Sequence, residues 1–214
     1  MFILPQKAFQ DSDSKNIHEF VKSWSHFYKY SRKDLSGKRI CYLDELCLGA
    51  DIKLENLRNL LRWKSSRFLS GKTSDSKAKI GQIEKGLDTL NAFRRDNVLE
   101  EFSKWASDVY PDDKRVVLRA FLFHIARPTE YPIWDQHVAR TFAVLRGRAF
   151  CVDWANYADY RNWFADLKTA LGSGETRTVS DMREIKRLDS ALMVYGQFLA
   201  KYSASVPKSR QPNG

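Results

Sequence analysis

Pro128 and Pro132 stand between two runs of helical periodicity, and they fix where this chain can turn. Residues 115–126 (RVVLRAFLFHIA) are long and apolar enough for a nearly buried helix. Residues 136–146 (QHVARTFAVLR) alternate apolar and basic positions, as a half-buried helix does. Proline lacks an amide hydrogen and locks φ, so the pair stops the first helix and imposes an extended approach to the second. Asp135 falls at the N-cap of that second helix, where its side chain can accept the free amides of the first turn. One carboxylate is thereby held at a helix mouth, between Trp134 and His137.

The rest of the chain reads as helices. Asp11, Ser12, Asp13 and Ser14 are helix-start signals, and Ile17, Phe20, Val21, Trp24, Phe27 and Tyr28 follow on one helical face. Lys33 to Lys38 breaks that pattern. Residues 40–48 are short, either extended or a single helical turn. Leu54, Leu57, Leu60 and Leu61 mark a short helix, and Ile80, Ile83, Leu87 and Leu90 predict one long one. Val98, Phe102 and Trp105 begin the next, which ends at Val109-Tyr110-Pro111-Asp112-Asp113. Pro111 and the two aspartates are turn and helix-start chemistry, so this helix and the central one form a helical hairpin.

Trp154, Tyr157, Tyr160, Phe164, Leu167 and Leu171 recur at helical intervals until Gly172-Ser173-Gly174 ends them. Ile185, Leu188, Leu192, Tyr195 and Leu199 predict the last helix, with Ser180 and Asp181 as its caps. The aromatic stripes from Trp154 onwards and around Trp24 read as core. No segment reads as part of a β-sheet. The expectation is a compact all-α fold over residues 1–202, as one globular unit or two helical lobes, followed by a basic, disordered tail over 203–214.

Bulk properties narrow the function classes. At 214 residues, with 43% hydrophobic and 13% aromatic residues, the chain can build a real core. Its formal charge of +10 favours a polyanionic partner, nucleic acid before anionic membrane. The three cysteines, Cys41, Cys47 and Cys151, make no disulfide framework and exclude a four-cysteine zinc or iron–sulfur site within this chain. No apolar run reaches membrane-spanning length, so a cytoplasmic monomer without membrane contact is expected. The spacing of His18, His26, His124 and His137 fits no metal motif, and no phosphate loop, dinucleotide fingerprint or nucleophile elbow is present. No cofactor is expected.

From Asn56 to Ser74 there is no acidic residue, while Arg58, Arg62, Lys64, Arg67 and Lys72 are basic and Trp63 and Phe68 lie among them. Cations reach phosphates and aromatic rings stack on bases, so this is a candidate nucleic-acid surface. It is equally the composition of a solvated helix end with Trp63 and Phe68 tucked into the core.

A helical hairpin, a buried helix, a proline-bearing link and then Trp134-Asp135-Gln136-His137-Val138-Ala139-Arg140 resembles the core of the helix-hairpin-helix (HhH-GPD) DNA glycosylase superfamily. The resemblance covers residues 97–147. It implies a two-lobed, all-helical fold with a cleft around Asp135, and an enzyme that flips a damaged or modified base from double-stranded DNA and cuts its N-glycosidic bond. The family's catalytic aspartate falls on Asp135. Counting back in this sequence puts Arg115 at the position of the lysine nucleophile that some members carry, with Lys114 beside it, so Lys114 takes that role only if the shortened hairpin shifts the register. The glycine-rich hairpin turn that grips a phosphate in the family is replaced here by Tyr110-Pro111-Asp112-Asp113, and the cysteine cluster of some members is absent.

The implied chemistry suits the residue types. Breaking an N-glycosidic bond develops positive charge on the sugar, which a nearby ionised carboxylate stabilises while it orients water. A flipped base needs apolar or aromatic walls, for which Trp134, Tyr131 and Trp63 are candidates, with His137 and Arg140 beside them. Lys114 is the candidate Schiff-base lysine, and Arg115 joins Arg58, Arg62, Lys64 and Arg67 as candidate DNA contacts. Against this stands a plain reading of each group: Asp135 as an N-cap contributing about 1 kcal/mol, Lys114 as a solvated cation, His137 as a local hydrogen-bonder and His124 as a satisfied core histidine. A DNA-binding helical module without catalysis, or a helical interaction protein whose charge serves solubility, are the alternatives.

Overall fold

The computed structural model describes residue 9 and residues 14–29, 33, 37–64, 74–111, 115–172 and 179–202. The protein is all-α. Among the described residues there are ten helices and no strand, the one extended pairing being an isolated bridge between Lys33 and Arg39. None of these helices is long and apolar enough to cross a membrane. The helices are α1 (Ser14–Ser25), α2 (Tyr42–Glu45), α3 (Leu54–Lys64), α4 (Ser74–Lys85), α5 (Leu87–Asp96), α6 (Leu99–Val109), α7 (Val116–Ala126), α8 (Gln136–Leu145), α9 (Trp154–Ala170) and α10 (Val179–Tyr202).

The chain divides into two compact units. One comprises Met1–Lys29, Thr129–Thr176 and Ser180–Gly214; the other comprises Tyr30–Pro128 with Arg177–Val179. The first unit carries α1, α8, α9 and nearly all of α10, while α2 to α7 build the second.

In the second unit the aromatic core is Phe93, Phe102 and Phe123. Phe93 stacks on Phe102 at 4.4 Å, and Phe123 meets Phe102 edge-on at 4.8 Å. Offset and edge-on geometries of this kind satisfy the ring quadrupoles as well as burying area. The single helix predicted through Ile80 to Leu90 is two helices, because Gly86 interrupts it. A Cβ on Gly86 would lie 2.1 Å from the indole of Trp105, so α6 presses its ring against bare backbone at that joint. Residues 40–48 contain one helical turn, α2, and its Tyr42 shares a hydrogen bond with the buried Nε2 of His124. His124 is thus a satisfied core histidine.

Two polar side chains of α5 hold the irregular segments of this unit. Asn91 is buried and reads both backbone groups of Ile52, accepting from its amide at 2.9 Å and donating to its carbonyl at 3.0 Å. Arg94 donates to the carbonyls of Leu46, Cys47 and Ile125. Burial lowers the Arg94 pKa from its ordinary value, with the surrounding negative groups opposing that shift. Helix ends and turns leave carbonyls unpaired, and a half-buried guanidinium with its fan of donors closes three of them at once.

In the first unit α9 buries Tyr157, Tyr160, Phe164 and Leu167 of the predicted stripe, together with Trp163, while Trp154 and Leu171 at its two ends are half-buried. Asp153 caps it, accepting from the Asn156 amide at 2.7 Å. The last helix starts at Val179, so Ser180 and Asp181 lie inside its first turn and not before it. Gly196, well inside α10, is where α10 closes on α8. A Cβ there would stand 2.0 Å from the carbonyl oxygen of His137 and 2.8 Å from Thr141 Oγ1. Thr141, fully buried, donates to the Leu192 carbonyl at 2.7 Å across the same contact.

Two stability outcomes follow from these contacts. Alanine is favoured over glycine by about 1 kcal/mol in a helix interior, yet Gly196→Ala is expected to lower the melting temperature by roughly 4 °C or more, because backbone cannot rotate out of the way. A rise in Tm on that change would refute the close approach. Asn91→Leu should cost about 2–4 kcal/mol in urea unfolding, since both polar groups of buried Ile52 lose their partner.

Candidate active site and nucleic-acid surface

The site is built from the non-helical link over 127–135. Leaving α7, the chain must bury backbone without helical hydrogen bonds, and α9 supplies the partners. The Tyr157 hydroxyl donates to the Pro132 carbonyl at 3.3 Å, and the Lys168 ammonium donates to the Thr129 carbonyl. The Arg161 guanidinium lies 4.3 Å from the ring centroid of Tyr131, a cation–π contact. Tyr157, Arg161 and Lys168 are four and seven residues apart, so they share one face of α9. Burial lowers the Lys168 pKa, with Glu130 opposing that shift, and burial raises that of Tyr157 beyond its ordinary range. The tyrosine is therefore a proton-bearing donor at any ordinary pH.

The link delivers Asp135 in an extended conformation, φ −158° and ψ 178°, directly before α8. Its Oδ1 accepts from the amides of His137 at 2.8 Å and Val138 at 3.1 Å. The carboxylate is half-buried and sits on the positive end of the helix. His137 Nδ1 lies 3.4 Å from Arg140 Nη1, which also donates to the Gly196 carbonyl at 3.4 Å. Arg140 carries its charge over the Phe150 ring, 5.0 Å from the centroid. Asp135, His137 and Arg140 therefore gather on the first turns of α8. Beneath them lies the hydroxyl of Tyr160, fully buried and without a hydrogen-bond partner among the described residues. Its pKa is raised well above the usual tyrosine value, by burial first and then by the electrostatic influence of Asp189, the Tyr157 phenol and Asp135.

The expected aromatic walls are placed differently. Trp134 has no exposed surface and packs against Tyr160 at 4.9 Å and Tyr157 at 5.9 Å. Tyr131 is 4% exposed beneath Arg161. Trp63 is 4% exposed, between Tyr42 and Phe121. All three are core residues, because each ring is already faced by protein and offers no side to a base. The surface rings of the first unit are others: Phe27, Phe198 and Tyr202 are 56%, 42% and 63% exposed. The stripe around Trp24, read from sequence as core, thus reaches the surface at one end, since periodicity gives a face but not what covers it.

Among the candidate DNA contacts, Arg58 is exposed and its Nε pairs with Glu84 at 2.7 Å, which offsets its charge. Arg62 and Lys64 are half-buried on the last turn of α3, with the Lys64 ammonium 5.6 Å from the Phe121 ring centroid. Arg115 is half-buried at the N-cap of α7. Lys114, Arg67 and Phe68 lie outside the described residues, as do Asp112, Asp113 and the tail over 203–214. Among the described residues no group of three or more His, Cys, Asp or Glu side chains is placed to hold a metal ion. A small pocket of about 190 Å³ opens between Arg146, Arg148, Asp159 and Trp163.

Compared with protein-family models, characterised proteins and solved structures, the chain finds no match in any of the three.

The cap geometry separates two roles for Asp135. Asp135→Ala removes both amide contacts and should cost about 1 kcal/mol of stability, whereas Asp135→Asn should keep most of it. Equal unfolding midpoints for wild type and the alanine variant would show that the cap contributes nothing.

Proposed function

We propose that the protein is a DNA glycosylase-like hydrolase with Asp135 as its catalytic carboxylate. The observation that carries this is the anchoring of Asp135 Oδ1 on the first-turn amides of α8, in the sequence Trp134-Asp135-Gln136-His137-Val138-Ala139-Arg140 that resembles the glycosylase core. A carboxylate so fixed needs little reorganisation when positive charge develops beside it. In the reaction the bond between the sugar C1′ and the base nitrogen breaks, and its electron pair leaves with the base. Water adds at C1′, its proton passes to Asp135, and the base takes up a proton from solvent. The net charge of +10 supplies attraction to the phosphate backbone. Lys114, in this proposal, is the residue that could add a Schiff-base step.

A second proposal, a DNA-binding helical module without catalysis, is favoured by one observation. Trp134 and Tyr131 are buried, so the two rings nearest Asp135 in sequence are not open walls for a flipped base.

The test is a panel of duplexes carrying damaged or modified bases, incubated with protein and then treated with alkali to cut abasic sites. Cleavage by wild type, and a loss of about a hundredfold or more in Asp135→Asn, is the expected result. Undiminished cleavage by the asparagine variant would reject Asp135 as the catalytic group. Salt-sensitive binding with no abasic product on any duplex, weakened in an Arg62→Ala, Lys64→Ala double variant, would favour the binding module.

A further inference from the structure

The ends of α1 and α10 bring four aromatic rings into one continuous run at the surface of the first unit. Phe27 lies 6.5 Å from Trp24, Trp24 lies 5.3 Å from Phe198, and Phe198 lies 5.0 Å from Tyr202, centroid to centroid. Three of the four are largely exposed, at 56%, 42% and 63% for Phe27, Phe198 and Tyr202. Tyr195 backs the run from the buried side, 5.0 Å from Trp24 and stacked parallel to Phe198. The rings are thus held by core packing while their outer faces meet water. Isolated exposed apolar residues are ordinary, but a contiguous exposed aromatic patch has a partner in most folded proteins.

The charge around the run identifies that partner. Residues 20–29 contain no carboxylate side chain, and neither do residues 190–202. The first segment carries Lys22 and Lys29 and the second carries Lys201, all three exposed. Lys201 is exposed and its ammonium lies 5.0 Å from the Tyr202 ring centroid. A second copy of this chain would bring like charge against like. A phosphate backbone would be drawn to these three cations. The exposed faces of flat rings are matched by exposed faces of bases, which a duplex keeps stacked and a single strand presents.

We propose that the run Phe27, Trp24, Phe198 and Tyr202 is a stacking surface for unpaired bases of a single-stranded nucleic acid. It stands independently of the glycosylase proposal, because none of its residues belongs to the Asp135 site.

The test is fluorescence anisotropy with a labelled thymidine homopolymer, its RNA counterpart and a blunt duplex. Binding of single strands in preference to the duplex is expected. Phe198→Ala and Phe27→Ala should each weaken single-strand binding by about tenfold. Phe198→Trp should retain it, and Leu99→Ala, an exposed apolar residue of the second unit, should leave it unchanged, as should Asp135→Asn. Circular dichroism checks that each variant folds. Equal affinity for duplex and single strand, or single-strand binding unaffected by both alanine variants, would overturn the proposal. So would a concentration-dependent dimer, or cosedimentation with anionic phospholipid vesicles, that the alanine variants abolish while oligonucleotide binding persists.

Discussion

The position of Asp135 depends on how α9 holds the non-helical link over 127–135. Pro128 opens a turn over 128–130 and Pro132 begins the non-helical approach over 132–135, but proline alone leaves the carbonyls of the link without partners and its direction unset. Tyr157 and Lys168 take the carbonyls of Pro132 and Thr129, and Arg161 lies on the Tyr131 ring between them. The α8 amides then fix the carboxylate from its other side. Buried backbone must find partners, and here one helix face provides them in register with the link. The second half of the arrangement is Gly196. Without a side chain at that point, α10 reaches the His137 carbonyl directly and Thr141 can hydrogen-bond across.

In the second unit the same constraint is met by different chemistry. Asn91 presents an amide to both polar groups of Ile52, and Arg94 spreads its donors over three carbonyls at turns and a helix end. These residues look like ordinary polar positions of an amphipathic helix. Nothing in their spacing distinguishes them from solvated neighbours such as Arg95, which pairs with Asp51 at an exposed position. Their role appears only when the loop they read has been brought beside them.

The distribution of aromatic residues follows a related logic. A ring is more useful to the core than to the surface unless something meets it there, and Trp134, Tyr131 and Trp63 are all used internally. Among the described residues the exposed rings lie at the C-terminal ends of α1 and α10, beside the exposed Lys22, Lys29 and Lys201. Charge and exposure therefore coincide away from the stretch over 56–74 that the sequence singles out, in which Arg58 is offset by Glu84 and Trp63 is buried.

Much was legible in the sequence, because it depends on residues close along the chain. The all-α class, the buried α7, the start of α8 and the Asp135 cap all come from periodicity, proline stereochemistry and the reach of a short carboxylate to the amides two and three residues on. The stripe of α9 was legible for the same reason. What was not legible lies in contacts between distant segments. That Gly86 has no room for a side chain is a consequence of Trp105, and that Gly196 has none is a consequence of His137; neither glycine looks unusual in its own neighbourhood. Which side of an aromatic stripe is covered was likewise decided by tertiary packing, since a 3.6-residue period specifies a face and only another element can bury it.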